Sequence, residues 1–169
     1  AEVGILGPED KVELINGEII KMSPIGPRHA GVVITINKLL PSLLGEQYLL
    51  SPQNPVRLSS YSEPEPDIVV LHAREDNYTK SNPQPKDVAL LIEVANSTLE
   101  YDTKVKLPLY AEKGIPQYWI IDLQTDSIIT YAQPGKDASY ELEQIYFRGD
   151  AIRNPLFSRE ILVEELILD

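Results

Sequence analysis

Glu93 is the residue whose position in the sequence says most about chemistry. It is the single charged residue in the apolar run VALLIEVA, which covers residues 88–95 and has the composition of a strand buried on both faces. In such a strand Glu93 shares a face with Leu91 and Ala95. Because a buried carboxylate without a partner is costly or becomes neutral, we expect a partner. That partner is either a structural Lys or Arg, or a metal ion in a catalytic site.

Asp67 is a candidate site residue only in combination with Glu93. It follows Pro66 and opens the apolar segment 68–71, where an Asp is usually a turn residue at the start of a strand. If the two strands are neighbours, the carboxylates of Asp67 and Glu93 converge. Two such charges ~4 Å apart repel by about 4 kcal/mol at an effective dielectric near 20. Coordination of Mg²⁺ or Mn²⁺ removes that repulsion, since these hard cations prefer oxygen ligands.

Lys106 lies on the helix predicted to follow the Glu93 strand. Asp102, Lys106 and Tyr110 are spaced four residues apart and share a helix face. For Asp102 we expect an ordinary helical ion pair or an N-cap. An ammonium at Lys106 is either half of that ion pair or a group that steadies an attacking water and neutralises charge on a phosphate.

The segments that must position these residues begin with a hairpin and a helix. Asn16-Gly17 between two short alternating runs predicts a two-residue turn. Apolar residues then recur at helical spacing, and Pro41 should kink or divide that helix. The stripe consists of Val32, Ile36, Leu40 and Leu44, widened by Val33 and Leu43.

Short strands, a helix and a hairpin make up the remainder. Residues 48–59 read as one or two strands, 72–87 as a long polar loop, and 117–123 as a buried strand. A second helix ends at Gly114. Residues 127–147 predict a hairpin, whereas the apolar C-terminal segment fits either a strand or a helix. This order predicts an α/β or α+β fold with one mixed central sheet.

Composition limits the classes of protein to consider. A chain of 169 residues with 43% hydrophobic residues fits a single domain over residues 1–169. The absence of cysteine excludes disulfides and thiolate metal sites and suits the cytoplasm. No apolar run approaches the ~20 residues that cross a bilayer, so no membrane association is expected.

The net charge of −11 argues against tight, non-specific binding to duplex DNA, because proteins that bind through phosphates carry clustered Lys and Arg. The 15 basic residues are scattered along this chain. An acidic metal site, an oligomer with a local basic groove, or a transient substrate contact all remain compatible with that charge.

The segments EPDIVVL, LLIEVA and NSTLEYDTKVKLPLYAEKGIPQYWIID together resemble the Uma-two family of putative restriction endonucleases. That family belongs to the PD-(D/E)XK nuclease superfamily. The resemblance covers almost the whole chain and is most specific over residues 102–122. It implies a restriction-endonuclease-like mixed sheet flanked by helices, and a metal-dependent phosphodiesterase site with Asp67 and Glu93 as the acidic ligands.

One position departs from the superfamily pattern. A lysine usually stands two residues after the second acid, and here that residue is Ala95. Lysines of this superfamily also project from the following helix, and Lys106 resembles that migrated lysine. Lys104 is the fallback, although it points about 200° away around the helix. If neither lysine reaches the acids, catalysis is in doubt.

Two further residues are secondary candidates. His29 stands near the start of the first helix, where the family often has a histidine that contacts phosphate or assists proton transfer; its other interpretation is a partly exposed residue at a helix start. Glu18 follows the Asn16-Gly17 turn and is within reach of a metal in the predicted fold. Asp122 is expected to end its strand.

The sequence therefore predicts hydrolysis of DNA phosphodiesters by an endonuclease that uses Mg²⁺ or Mn²⁺ bound to Asp67 and Glu93, with Lys106 beside them. Nucleases of this fold often pair to cut two strands, so a homodimer is plausible. Two alternatives are a nuclease fold kept as a non-catalytic binding module and a metal-dependent phosphoesterase acting on a small substrate. The net charge fits both alternatives, and Ala95 favours the first.

Overall fold

The computed structural model describes residues 11–22 and 24–168. Its first element is the predicted hairpin, in which β1 (Val12–Ile15) pairs antiparallel with β2 (Glu18–Lys21). Asn16 and Gly17 both have positive φ, at 51° and 86°. Two consecutive residues of this kind form the hairpin turn that matches the twist of the flanking strands. The predicted hairpin is confirmed.

A six-stranded sheet forms the centre of the fold. Its strands lie in the order β3-β4-β5-β6-β7-β8, and only the β5–β6 pair is parallel. The sheet is therefore mixed, as predicted. The strands are β3 (Tyr48–Pro52), β4 (Ile68–His72), β5 (Val88–Ala95), β6 (Gln117–Asp122), β7 (Ser127–Pro134) and β8 (Tyr140–Tyr146).

The strand β5 lies inside the sheet, and all eight of its residues are buried. Its alternation divides the core into two parts. Leu90, Ile92 and Val94 pack with the first helix, whereas Leu91 and Ala95 pack with the second helical segment and with Ile15 of the hairpin. Glu93 is thus placed on the hairpin side of the sheet, with the face neighbours predicted from the sequence.

The first helix, α1, runs over Pro27–Leu39 and starts with a proline in its first turn, where the missing N–H is not needed. A single 3₁₀ turn, Leu40–Ser42, follows it and contains Pro41, so the proline divides the helix as predicted. Three residues of the predicted stripe, Val32, Val33 and Ile36, are its buried residues.

The second helical segment spans residues 99–112. It consists of α2 (Leu99–Tyr101), a π turn (Asp102–Lys106) and α3 (Leu107–Glu112). Asp102 is not its N-cap, so that prediction is wrong. The helix starts three residues earlier, and the Asp102 N–H already donates to Thr98 O at 2.9 Å. Gly114, with a φ of 72°, follows the end of the helix as predicted.

The C-terminal segment contains both of the structures that its sequence allowed. The short strands β9 (Ala151–Ile152) and β10 (Ile161–Leu162) pair antiparallel, and α4 (Val163–Leu166) follows directly. Val163 and Leu166 are buried in the part of the core that α1 covers. Across the described residues, no helix is long and apolar enough to span a membrane.

Candidate active site

The carboxylate of Glu93 lies inside the protein with two donors on one oxygen. Lys106 Nζ donates to Glu93 Oε1 at 2.9 Å, and the Tyr110 hydroxyl donates to the same oxygen at 3.0 Å. Glu93 and Lys106 are only 4% and 5% exposed. The helical segment 99–112 packs on the face of β5 that carries Glu93, which brings the lysine predicted from the sequence to this acid.

Asp67 meets Glu93 because β4 and β5 are paired, with Ile68 opposite Ile92. The Asp67 N–H lies 3.4 Å from Glu93 Oε2 and donates to it. Asp67 Oδ2 accepts hydrogen bonds from the Val94 N–H at 2.9 Å and from His29 Nε2 at 3.0 Å. Four elements of the chain are therefore joined around the two carboxylates.

The π turn sets the direction of Lys106. In this turn the Leu107 N–H donates to Asp102 O, five residues back, so the helix is locally wider than an α-helix. Pro108 follows and has no N–H to donate to a carbonyl four residues earlier. Both Asp102 and Lys106 are buried, and Asp102 Oδ2 accepts a hydrogen bond from the Thr98 hydroxyl at 2.7 Å.

Glu13 is a site residue that the sequence reasoning missed. It lies on β1, is 5% exposed, and its Oε2 atom is 3.3 Å from Lys106 Nζ. The distance is that of an ion pair, but the orientation leaves Oε2 without a hydrogen bond among the described residues. The available signal was its place in VELI, where alternation puts Glu13 on the same face as Ile15, a residue apolar enough to be buried.

The buried charges do not balance. Among the described residues, the buried acids Glu13, Glu93 and Asp102 and the partly buried Asp67 share this region with a single buried cation, Lys106. Burial raises the pKa of Glu93 to about 8, against the lowering effect of Lys106. Burial likewise raises the pKa of Asp102. Although burial alone lowers the pKa of Lys106, the carboxylates of Glu93, Glu13 and Asp102 raise it above its ordinary value. The site therefore has an excess of acid over base.

A cavity of about 330 Å³ opens onto these groups. Its wall contains the four acids around Lys106 and the lysine itself, together with Glu65, His29, the residues after β5 and the end of β2. The hydroxyl of Tyr101 and Nδ1 of His29 are buried there without hydrogen-bond partners in the described parts of the chain. Burial raises the pKa of Tyr101 to about 12. Buried polar atoms without partners require an explanation, and both of these belong to residues of the cavity wall.

The remaining candidates from the sequence lie elsewhere. Lys104 is exposed and pairs with Glu100 at 2.6 Å, so it does not replace Lys106. Glu18 is exposed on β2, opposite Ile15, and is not part of the cavity wall. Asp122 ends β6, where it accepts hydrogen bonds from the Gln124 N–H and the Thr125 hydroxyl, as expected of a strand end.

The donor set of Asp67 and Glu93 fits a divalent cation of the Mg²⁺ type. No group of three or more His, Asp or Glu side chains within residues 11–22 and 24–168 is arranged to hold a metal ion. Such a cage is not required, because Mg²⁺ is commonly bound by one or two carboxylates, with water and substrate phosphate completing its shell. The surplus of buried negative charge is the physical feature that favours a cation at this place.

A search of curated proteins finds no match to the chain. A solved structure from Anabaena variabilis ATCC 29413, described as a putative nuclease belonging to DUF820, has a similar fold, with a TM-score of 0.70. The two chains are 17% identical, and the similarity covers 98% of this chain and 94% of the other. The likeness at this level of identity supports the fold.

The family model described as "Uma2: Putative restriction endonuclease" matches residues 3–163, which is nearly the whole chain. This match agrees with the resemblance seen in the segments around Asp67, Glu93 and Lys106. The protein therefore belongs to the Uma2 family of putative restriction endonucleases.

Proposed function

We propose that this protein is a metal-dependent endonuclease that hydrolyses phosphodiester bonds in DNA. One observation carries the proposal: the Asp67 N–H lies 3.4 Å from Glu93 Oε2 while Lys106 binds the other oxygen of Glu93, all in the wall of one cavity. Family membership supports a nuclease-type function. The arrangement combines two hard ligands with one ammonium, which is the set that phosphate hydrolysis needs.

Asp67 and Glu93 would hold Mg²⁺ or Mn²⁺. When bound, such a cation lowers the pKa of a water and polarises a phosphoryl oxygen. The Asp67 side chain is held for this purpose by the Val94 N–H and His29, which bind Oδ2. Glu93 is oriented by Lys106 and Tyr110.

Lys106 supplies a fixed positive charge to the cavity. Its pKa is raised by the surrounding carboxylates, so it remains an ammonium and does not take a proton from water. Its role in the proposed reaction is to orient the attacking water and to stabilise the charge that develops on the phosphate. His29 contributes Nδ1, a buried ring nitrogen in the same wall, as a contact for that water or for a phosphate oxygen.

The first test is a cleavage assay with Asp67→Asn and Glu93→Gln. Both changes keep the shape of the side chain but weaken cation binding, and we expect a loss of roughly 10²-fold or more in kcat/KM on DNA with Mn²⁺ or Mg²⁺. Glu100→Gln is the matched control, because Glu100 is an exposed acid paired with Lys104. Circular dichroism checks that each variant is folded.

The substrates should include duplex DNA, a single-stranded oligonucleotide and a small phosphodiester such as a dinucleotide. If the protein cleaves the small compound but not DNA, the proposal of a nuclease is replaced by that of a small-substrate phosphoesterase. Full activity in both site variants would remove Asp67 and Glu93 from the mechanism. Calorimetric titration with Mn²⁺ separates these cases from a binding module, which has no need of a cation at this site.

A further inference from the structure

We infer that Glu13, on the N-terminal hairpin, is a positioning residue of this site that holds the ammonium of Lys106 in place beside Glu93. No motif in the sequence indicated Glu13 as a site residue, and its carboxylate is not one of the two proposed metal ligands. The inference deepens the proposed function, and only its expected effect on cleavage rests on that function. The positioning of the Lys106 ammonium by Glu13 does not depend on whether the protein is a nuclease.

The contacts of Lys106 carry the inference. Its Nζ atom lies 2.9 Å from Glu93 Oε1 and 3.3 Å from Glu13 Oε2, and 5.9 Å from the centre of the Tyr101 ring. A lysine side chain has four flexible bonds, so one contact does not fix where its ammonium points. A second carboxylate, delivered by a different element, restricts the ammonium to one position in the cavity wall.

Glu13 is too buried to be a surface ion-pair partner. Its side chain is 4% exposed, and Oε2 has no hydrogen bond within the described residues. A buried carboxylate with an incomplete set of partners is unfavourable for stability. Its placement is explained by what it does for Lys106.

Attachment of the hairpin does not depend on the Glu13 side chain. The hairpin is joined to residues 61–63 by backbone hydrogen bonds from Gly17 to Tyr61 at 2.7 Å and from Glu63 to Leu14 at 2.7 Å. The Asn16 N–H also donates to the Ser62 hydroxyl at 2.9 Å. The Glu13 side chain can therefore be altered while the hairpin remains docked. A role in positioning Lys106 can then be distinguished from a role in holding the hairpin against the rest of the protein.

The test compares Glu13→Gln with two controls. Glu18→Gln removes an acid from the same hairpin at an exposed position, and Ser62→Ala weakens the docking contact without touching the carboxylate. Glu13→Asp is the conservative variant. Circular dichroism on the full chain checks that all four variants are folded.

The direct readout is the NMR signal of the Lys106 ammonium. A buried, doubly paired ammonium exchanges its protons slowly with water, so its ¹H–¹⁵N signal should be observable in the unmodified protein. We expect Glu13→Gln to accelerate this exchange or abolish the signal, and Glu18→Gln and Ser62→Ala to leave it unchanged. This measurement needs neither a metal nor a substrate.

The second readout is DNA cleavage with saturating Mn²⁺. Displacement of a positioned group by about 1 Å costs roughly 10²-fold, so Glu13→Gln should lower kcat by about that factor with little change in KM. Glu13→Asp should recover part of the loss. The two controls should retain the unmodified rate.

Each outcome decides the matter. An unchanged Lys106 signal in Glu13→Gln overturns the inference, and so does an equal loss of signal in Glu18→Gln, which would show that removal of any acid from the hairpin has this effect. If the unmodified protein cleaves no DNA, the proposed function fails, but the ammonium signal still decides whether Glu13 positions Lys106. A changed signal with an unchanged kcat overturns the catalytic part alone.

Discussion

At the scale of single residues, Glu93 shows burial and pairing acting against each other on one carboxyl group. Removal from water favours its neutral form, and the Lys106 ammonium favours its charged form. Two further acids, Glu13 and Asp102, lie near the same lysine, so one cation does not neutralise the group. The raised pKa of Glu93 is the result, and it has a consequence for stability.

We expect the metal-free protein to lose stability as the pH rises from about 4.5 to about 8, through ionisation of Glu93. The folded state keeps the proton up to about pH 8, whereas the unfolded state releases it near 4.5, so between these values the unfolded state binds fewer protons. The free energy of unfolding then falls with pH, by at most about 1.4 kcal/mol per pH unit for one proton.

Urea denaturation at pH 5, 6.5 and 8 in the presence of EDTA measures this effect. Glu93→Gln removes the ionisation and should flatten that part of the slope, so the difference between the two proteins is the quantity to compare. A parallel pH dependence in both proteins would contradict the role given to Glu93. Below about pH 4.5 the free energy of unfolding should depend on pH in the same way in both proteins.

At the scale of secondary-structure elements, two glycines are expected to respond in opposite ways to alanine. Gly31 lies inside α1, and an added Cβ meets no heavy atom within 4 Å. Because glycine costs about 0.5–1 kcal/mol relative to alanine inside a helix, Gly31→Ala should stabilise the protein by roughly that amount. Thermal or urea denaturation measures the change.

Gly17→Ala is the counterpart in the hairpin. Its surroundings are equally open, but its φ of 86° is in the region that alanine disfavours. We expect a loss of about 1–2 kcal/mol. A stabilising effect at Gly17 or a destabilising effect at Gly31 would show that backbone conformation does not control these positions. Since β1 carries Glu13, Gly17→Ala should also lower cleavage activity.

The π turn belongs to the same scale. Periodicity of 3.6 placed Asp102, Lys106 and Tyr110 on one face, and all three are buried as that spacing predicts. The sequence analysis did not predict the widening of the helix before Pro108. The turn nevertheless places Lys106 within 2.9 Å of Glu93.

At the scale of the whole molecule, the net charge of −11 limits how the protein can bind its proposed substrate. Five acids lie in the wall of the cavity that contains Lys106, where they attract cations and repel phosphate: Glu13, Glu65, Asp67, Glu93 and Asp102. A phosphate group is therefore expected to enter only together with a divalent cation. Affinity in the absence of such a cation should be weak.

We expect duplex DNA to bind the Asp67→Asn variant with a Kd of about 10⁻⁴ M or weaker at physiological salt when EDTA is present, at the weak end of the range for non-specific binding. Fluorescence anisotropy with a labelled duplex measures it. A Kd in the low micromolar range would contradict this expectation. It would indicate a basic groove, such as one formed between two copies of the chain.

Much of this protein follows from local sequence. The Asn16-Gly17 turn, the apolar alternation of β5 and the Gly114 helix end depend on neighbouring residues alone, so the hairpin, the central strand and the second helix were predictable. The charge of Glu93 inside an apolar strand indicated that it needs a partner, and the resemblance to the family indicated Asp67 and Lys106. Contacts in the folded chain bring all three together.

Glu13 shows what local sequence does not contain. Glu13 and Glu18 are both acids on the same short hairpin, and nothing in their neighbours distinguishes them. Docking of the hairpin against residues 61–63 buries Glu13 beside Lys106 and leaves Glu18 in solvent. Such a choice depends on contacts between residues far apart in the chain. Both acids lie on the same face of the hairpin, and the physical cause is how far along that face the rest of the protein covers it.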